Sequence, residues 1–401
     1  MKKKIAIVGG GSCALMLGCE LNTQKFDVSI YENNAALGRK FLVAGAGGLN
    51  LTHSEKHIDF IKRYTPFSFL EKAFSHFSNN DLIKWINDVG VETFIGTSGR
   101  VFPKKGIKPA AVLNIILKKI KDNQVKVHIK HNWRGFSKNN NLLFEHNNTL
   151  FEIESDYVIF CLGGASWQIT GSKGDWVNYF TEKNIEALPF KASNCAFKID
   201  WPLQLINKIE GGILKNISIT CKDKTHFGEI VITKFGIEGS GIYPLSPQIT
   251  EQLTEKKSAE ISIDFKPGFS IEKIIEKLSQ ERHKKNLTDI LKTELNFSQP
   301  QVQLLKSGLN KESFLNVAKL AFAIKHFELK IIGSASIDEA ISTTGGISLI
   351  ETDEDFQLKK LPRHFVIGEM LDYDAPTGGY LLQSCFSMAK FVAYNLNNKI
   401  T

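Results

Sequence analysis

The chain has 401 residues, 42% hydrophobic and 23% charged, a balance that excludes a disordered or fibrous protein and allows two or three packed domains. The formal net charge of +8 suits an anionic ligand such as a dinucleotide, while no long Lys/Arg run with interleaved aromatics marks a dedicated nucleic-acid surface. Cys13, Cys19, Cys161, Cys195, Cys221 and Cys385 form no CxxC pair and have no His at ligand spacing, so neither a zinc centre nor a disulfide framework is signalled.

The opening MKKK is followed by apolar residues only at 5–8 before glycines break the run, too short for a signal peptide. No stretch reaches the ~20 apolar residues of a membrane helix, and a cytoplasmic protein without a membrane partner is expected. Residues 4–8 predict a strand, GGGSCA at 9–14 a glycine turn opening a helix that runs to about Leu21, and 28–31 a second strand. A helical stretch at 67–89 follows, then GRVFP at 99–103, a helix at 110–121 and a strand at 125–129. Residues 142–144 and 151–153 alternate like antiparallel strands. The continuous apolar run 157–162 reads as a buried central strand ending in Gly163 and Gly164.

From about Pro189 the texture changes to strands at 195–199, 217–221, 229–233 and 260–265, then to helices over 271–320 and a strand at 327–336. The α/β texture returns with a strand at 364–367, a turn through Pro376, Gly378 and Gly379, and a helix over 380–396. This order predicts a discontinuous domain from 1–189 and 339–401. The inserted 190–338 divides into a β-barrel, about 190–268 and 326–338, and a helical cap, about 269–325.

Gly9, Gly11 and Ala14 satisfy G-x-G-x-x-G/A between strand and helix, and Glu32 closes the second strand 21 residues after Gly11. Gly9 permits the tight turn, Gly11 lets a pyrophosphate approach, and Ala14 with Gly18 lets the helix lie close to the sheet. Ser12 starts the helix whose free N–H groups face the phosphates. Glu32 suits a ribose hydroxyl and favours a cofactor without a 2′-phosphate. The motif alone leaves FAD and NAD open. The returning C-terminal segment favours FAD, since NAD enzymes do not usually bring their last strand back to the first.

GGGSCA with Glu32, GRKFLVAGAGGLNLTH at 38–53, GRVFP, LGGASW at 162–167, GSKGDW at 171–176, GEIVITKFGIEGSGIY at 228–243, TTGGISL at 343–349 and GEMLDYDAPTGGYLLQ at 368–383 together resemble the aminoacetone-oxidase-like family of FAD-binding flavoproteins. The resemblance implies an α/β, glutathione-reductase-like, Rossmann-type FAD-binding domain made from both termini, with an inserted β-barrel and a small helical subdomain. Two departures stand out. Ala44 and Gly48-Leu49 replace the family's usual Ser and Arg-Cys before Asn50, and GIEGSGIY replaces the common THxGxSGP form, which implies a different substrate.

Arg39 and Lys40 sit where a loop leaving the second strand turns back toward the pyrophosphate and flavin. Asn50 and Thr52 follow a glycine-rich loop suited to the isoalloxazine. Trp133 falls where related flavoproteins contact adenine through the main chain. Gly163 and Gly164 end the central strand, and Gly368 and Glu369 deliver a carboxylate to a ribitol hydroxyl. Gly378, Gly379, Tyr380 and Leu381 open a helix whose N-terminus faces the flavin pyrimidine edge, where reduction places negative charge. Asp372 and Asp374 suit the start of a turn.

The expected activity is FAD-dependent oxidation or reduction of a small organic substrate by hydride transfer at flavin N5, and the resemblance points both to amine oxidation and to C=C reduction. No second GxGxxG supplies an NAD(P)H domain, so a nicotinamide binds transiently if at all. The alternative is a flavin-dependent RNA-binding or RNA-modifying protein, using the basic stretch 282–292. No acid or base stands out. Lys40, Glu238 and Tyr243 qualify only through their motifs, and His53 reads as packing.

Overall fold

Apolar and β-branched residues at 5–8 form the buried part of the first strand, β1 (Lys3–Val8), as a central parallel strand requires. Helix α1 (Ser12–Glu20) returns the chain to β2 (Phe26–Glu32), parallel to β1 with Val8 beside Tyr31. The computed structural model describes residues 2–44, 48–280 and 285–399.

Helix α2 (Pro109–Asp122) and strands β3 (Lys126–Ile129), β4 (Tyr157–Phe160) and β5 (His364–Val366) complete a five-stranded parallel sheet in the order β5-β4-β1-β2-β3. The C-terminal strand is thus only one strand away from the first. Its helix, α3 (Tyr380–Lys399), is tied to the end of α1: Lys390 Nζ reaches Glu20 Oε2 at 2.6 Å, and Asn397 Nδ2 donates to Glu20 O at 2.9 Å. α1 is buried throughout from Cys13 to Cys19, which is why its sequence is apolar without an alternating polar face.

Two antiparallel three-stranded sheets flank this core. One is Asn132–Phe136, Leu142–His146 and Thr149–Ile153; the other is Thr52–His53, Arg100–Pro103 and Thr93–Ile95. The expected continuous helix at 67–89 is two helices, Glu71–His76 and Asn79–Asp88. Ser78 interrupts it by forming a capping box with Asp81.

The chain divides into two compact units, Met1–Lys191 with Ile341–Thr401, and Ala192–Ala340, each with its own apolar core. The second holds a seven-stranded antiparallel sheet whose first and last strands, Phe327–Ile331 and Gly333–Ser334, are consecutive pieces of one bent segment. One segment therefore supplies both edges, and the sheet closes on itself. Five helices from Ile271–Gln280 to Val317–Lys325 follow its strand Ala259–Asp264. Two more among the described residues, Leu203–Ile209 and Ser246–Lys256, lie where only strands are expected; for the latter, Pro247 in its first turn and buried Ile249 and Gln252 at helical spacing decide it. The strand expected at 195–199 shrinks to Phe197–Lys198.

Candidate cofactor-binding site

At the carboxyl ends of β1 and β4, where the strand order reverses, a cavity of about 750 Å³ opens within the first unit. Gly9 leaves β1 at φ +101°, and a Cβ there would stand 2.5 Å from Cys161 O at the end of β4. Gly11 is different: a Cβ on it would meet only Cys161 O, at 3.8 Å, so the space beside it belongs to the cavity. α1 starts without a side-chain cap or an acidic residue in its first turn, and Gly11, Ser12 and Cys13 line the cavity. Free N–H groups and the positive end of the helix dipole are the donor set a diphosphate needs.

Glu32 is nearly buried, and its carboxylate ties the turn together. Oε2 accepts Gly10 N at 2.7 Å, and Oε1 accepts both Asn34 N and Asn34 Nδ2 at 2.7 Å. Arg39 donates from Nη1 to Asn34 Oδ1. Lys40, on the short helix Arg39–Ala44, donates to Ser166 Oγ at 2.7 Å and pairs with Glu369 Oε2 at 3.0 Å. The other oxygen of Glu369 accepts Thr343 N at 2.9 Å. Gly163 and Gly368 complete this middle stretch of the wall.

At one end stand Asn50, Gly378, Gly379 and Leu381. Gly379 has φ +98°, and a Cβ on it would lie 2.6 Å from the Thr52 backbone, so the start of α3 is held close against that strand. Asn50 Oδ1 is buried with no hydrogen-bond partner among the described residues. At another end are His131, Asn132 and Trp133. Trp133 is 6% exposed and packs on Phe160 with ring centroids 4.8 Å apart, yet its Nε1 has no partner among the described residues.

Four expected residues stand behind the wall instead of lining it. Ala14 is wholly buried inside α1. Thr52 supports Gly379 with its backbone, and Gly164 is packed where a Cβ would meet Thr343 and Glu369. Tyr380 turns away, donating its hydroxyl to Glu55 Oε1 at 2.5 Å and stacking on Phe60; burial first, and then Glu55, push its phenol far above the ordinary value. His53 packs on Tyr380 and contacts Ser98 O at 2.9 Å. Asp372 accepts Gly345 N at 2.8 Å, a turn role.

Glu238 and Tyr243 belong to the second unit, where burial pushes the Tyr243 phenol up to about 12. Residues 45–47 of the glycine-rich loop and residues 282–284 of the basic stretch lie outside the described residues. Within the remainder of that stretch Lys285 pairs with Glu294 at 3.1 Å.

Sequence reasoning missed part of the lining. Trp167 takes a left-handed conformation, φ +56°, rare for a bulky side chain, and its carbonyl accepts Thr170 N at 2.8 Å and Thr170 Oγ1 at 2.7 Å. Trp176 donates to Gly163 O at 3.1 Å. The signal was present in LGGASW and GSKGDW, although nothing local in those motifs marks these side chains as lining. Cys13, Cys161 and Cys385 also line the cavity. The Cys13 thiol is held well above its ordinary value by its hydrogen bond with Cys161 and by burial, and the Cys385 thiol by its bond with Cys13 and by burial. Such thiols are inert.

The residues fit a dinucleotide: an uncapped helix start, a cavity beside Gly11, and orphaned polar atoms on Asn50 and Trp133 that no group among the described residues satisfies. With the C-terminal strand and helix returned to the first, this fold and site define an FAD-dependent oxidoreductase of Rossmann type. The chain belongs to the HI0933-like family, whose Rossmann-domain model matches residues 3–395. The earlier resemblance therefore holds at the level of the FAD-binding family and not of aminoacetone oxidation.

The chain is 21% identical to the ribosomal RNA dihydrouridine synthase of Haemophilus influenzae over 404 residues, covering 98% of each chain. It is 22% identical to the 3-dehydro-bile acid delta(4,6)-reductase of Clostridium scindens over 411 residues, covering 95% of each. Among solved structures, the 3-ketosteroid delta1-dehydrogenase of Sterolibacterium denitrificans superposes with a TM-score of 0.51 at 11% identity, covering 99% of this chain and 100% of that one; this likeness bears on the fold alone. Among the described residues no helix is long and apolar enough to cross a membrane, and no group of His, Cys, Asp and Glu is arranged to hold a metal ion.

Proposed function

We propose that the cavity holds FAD and that the protein uses it to reduce a carbon–carbon double bond conjugated to a carbonyl group. In this reading Gly9, Gly11 and Ser12 would take the diphosphate, Glu32 a ribose hydroxyl through lone pairs that its bonds from Gly10 and Asn34 leave open, and Trp133 the adenine end. Arg39, Lys40, Gly163, Gly368 and Glu369 border the middle of the cofactor, and Asn50, Gly378, Gly379 and Leu381 border its ring. Ala14, Thr52, Gly164 and Tyr380 support these from behind. When bound, FAD would supply a two-electron carrier between a transiently held reduced nicotinamide and the β carbon of the substrate.

The observation that carries this reading is the start of α3, set by Gly378 and Gly379 against one end of the cavity with no acidic residue in its first turn. Its N–H groups stabilise negative charge on whatever lies there. Reduction is chosen over amine oxidation because the names of both relatives describe saturation of double bonds: dihydrouridine is uridine with its ring C=C reduced, and the bile-acid enzyme is named as a reductase at positions 4 and 6. The first of these names also supports a second reading, the same chemistry on a uracil ring in RNA.

Anaerobic mixing of the flavin-loaded protein with reduced nicotinamide, then with candidate acceptors, tests the proposal. Reoxidation by an α,β-unsaturated ketone faster than by buffer is expected, and reoxidation by uridine-containing RNA alone selects the second reading. Bleaching of the oxidised flavin by a primary amine, with no reoxidation by any unsaturated carbonyl compound or RNA, overturns both.

A further inference from the structure

Arg100 opens the strand Arg100–Pro103, opposite His53 in the antiparallel ladder. Its Nε stands 3.1 Å from the position a Cβ on Gly378 would take, and Gly378 lines the cavity. The side chain is half-buried, and among the described residues its guanidinium has no hydrogen-bond or ion-pair partner. Arg63, by contrast, is spent on Glu55, from Nη2 at 2.8 Å and from Nε at 3.2 Å.

A guanidinium keeps its charge at any working pH and carries five donors. Unpaired among the described residues and beside Gly378, which lies two residues before the start of α3, it breaks the rule that cations gather at helix C-termini, and such breaks concentrate at functional sites. α3 adds its own positive end and no acidic side chain. Asn50 adds a carboxamide on the cavity wall whose amide makes, among the described residues, only a long 3.5 Å contact with Gly48 O. This corner is rich in donors, with no carboxylate paired to its guanidinium.

We propose that Arg100 binds the carbonyl oxygen of the double-bond substrate and stabilises the oxyanion formed as the bond is reduced; this rests on the reduction reading above. As hydride adds to the β carbon, the C=C pair moves to join the α carbon to the carbonyl carbon, and the carbonyl pair moves onto oxygen, where Arg100 meets it. A proton from water then adds to the α carbon and the oxygen pair returns to the carbonyl. The two electrons come from the reduced nicotinamide by way of the bound flavin.

The probe is 4-nitrophenol, a planar phenol that carries charge on its oxygen only when ionised, titrated spectrophotometrically into oxidised FAD-loaded protein. Wild type is expected to bind the phenolate in preference to the phenol. Arg100→Met should weaken phenolate binding about tenfold or more and slow reoxidation by an enone, with flavin content unchanged, while Arg100→Lys retains part of both. Arg100→Gln, read in the same way, replaces the Met variant if that fails to fold. Equal phenolate affinity in wild type and the uncharged variant overturns the proposal, as does loss of flavin from that variant, which assigns Arg100 to the cofactor. The two readings fail separately: enone reoxidation unaffected by Arg100→Met removes only the role of Arg100, whereas a wild type that binds phenolate but is reoxidised by no enone removes the reduction, and the oxyanion role with it.

Discussion

Replacing Glu32 by Gln separates what this carboxylate does for the protein from what it does for a cofactor. It accepts three hydrogen bonds of 2.7 Å, one from Gly10 N on Oε2 and two from Asn34 on Oε1. An amide has one oxygen. Turned toward Asn34 it keeps two donors and sets its own NH₂ against the N–H of Gly10. The turn cannot move aside, because a Cβ on Gly10 would already lie 2.4 Å from Leu37 Cδ2. One charge-assisted bond is lost in a nearly buried place and a donor is left unsatisfied, about 2–3 kcal/mol in all. That loss falls on the apoprotein, so the midpoint of its first denaturation transition should drop before any flavin is added. If a ribose hydroxyl also relies on the charge, the Kd for FAD rises in addition by roughly tenfold for each 1.4 kcal/mol, read by flavin fluorescence. A Glu32→Gln protein with wild-type apo stability and wild-type FAD affinity would show the Gly10 bond to be incidental and the ribose contact absent.

Gly379→Val forces a side chain toward the Thr52 backbone at φ +98° and should push the start of α3 from the cavity, lowering the two-electron potential by on the order of 30 mV for each 1.4 kcal/mol of stabilisation lost. An unchanged potential in a folded, fully flavinated variant makes the helix a scaffold only. Trp133→Phe keeps the aromatic packing and removes the unpartnered N–H, so FAD affinity should fall by roughly 3- to 10-fold in a fluorescence titration. Unchanged affinity returns the residue to packing alone. His364 in β5 is held below its ordinary value of 6.5 by burial. The unfolded chain then binds the extra proton first, so this contribution to stability is complete above about pH 6.5 and is lost as pH falls below it toward the folded value. The stability difference between about pH 7.5 and about pH 5.5 should shrink in His364→Phe, and an undiminished difference assigns the acid sensitivity to other groups.

The parts of the site legible in the sequence are those whose causes are local. β1, the glycine turn, α1 and Glu32 follow one another within 32 residues, and each residue type answers a constraint set by its neighbours. The apolar run at 157–160 and the short strand before Gly368 are visible for the same reason, because strands buried on both faces need no polar alternation. The Lys40–Glu369 pair joins positions 329 residues apart, and nothing near either residue announces the other. The left-handed Trp167 is a tertiary imposition on a residue that local sterics disfavour. Helix Ser246–Lys256 was within reach, since Pro247 and Ile249 carry the signals of a helix start, but surrounding strand texture masks them.

The distribution of charge along the cavity links the fold to the proposed chemistry. In the middle, Lys40 and Glu369 neutralise each other, and Glu32 accepts from Gly10 N and from the backbone and side-chain amides of Asn34. At the start of α1 the positive helix end is left without an acid, and the same is true at the start of α3, beside which Arg100 has no charge partner among the described residues. Arg39, also on the wall, reaches only the neutral Asn34 amide among the described residues, so positive charge is not confined to the helix starts; in the proposed reading two negative partners meet those two starts. A diphosphate is permanent and would sit at α1 for as long as the cofactor is bound. The proposed substrate oxyanion is transient, so Arg100 would be worth more to it in the transition state than in the ground state, which is the condition for an interaction to accelerate a reaction and not merely to tighten binding. Hydrogen bonding, to Cys161 for Cys13 and to Cys13 for Cys385, and then burial hold both thiols well above the ordinary value, and the proposed reading gives them no part in the chemistry. In the proposed reading the first helix would hold what stays and the last would favour what forms, and both helix starts border a single cavity because the two ends of the sequence share one sheet.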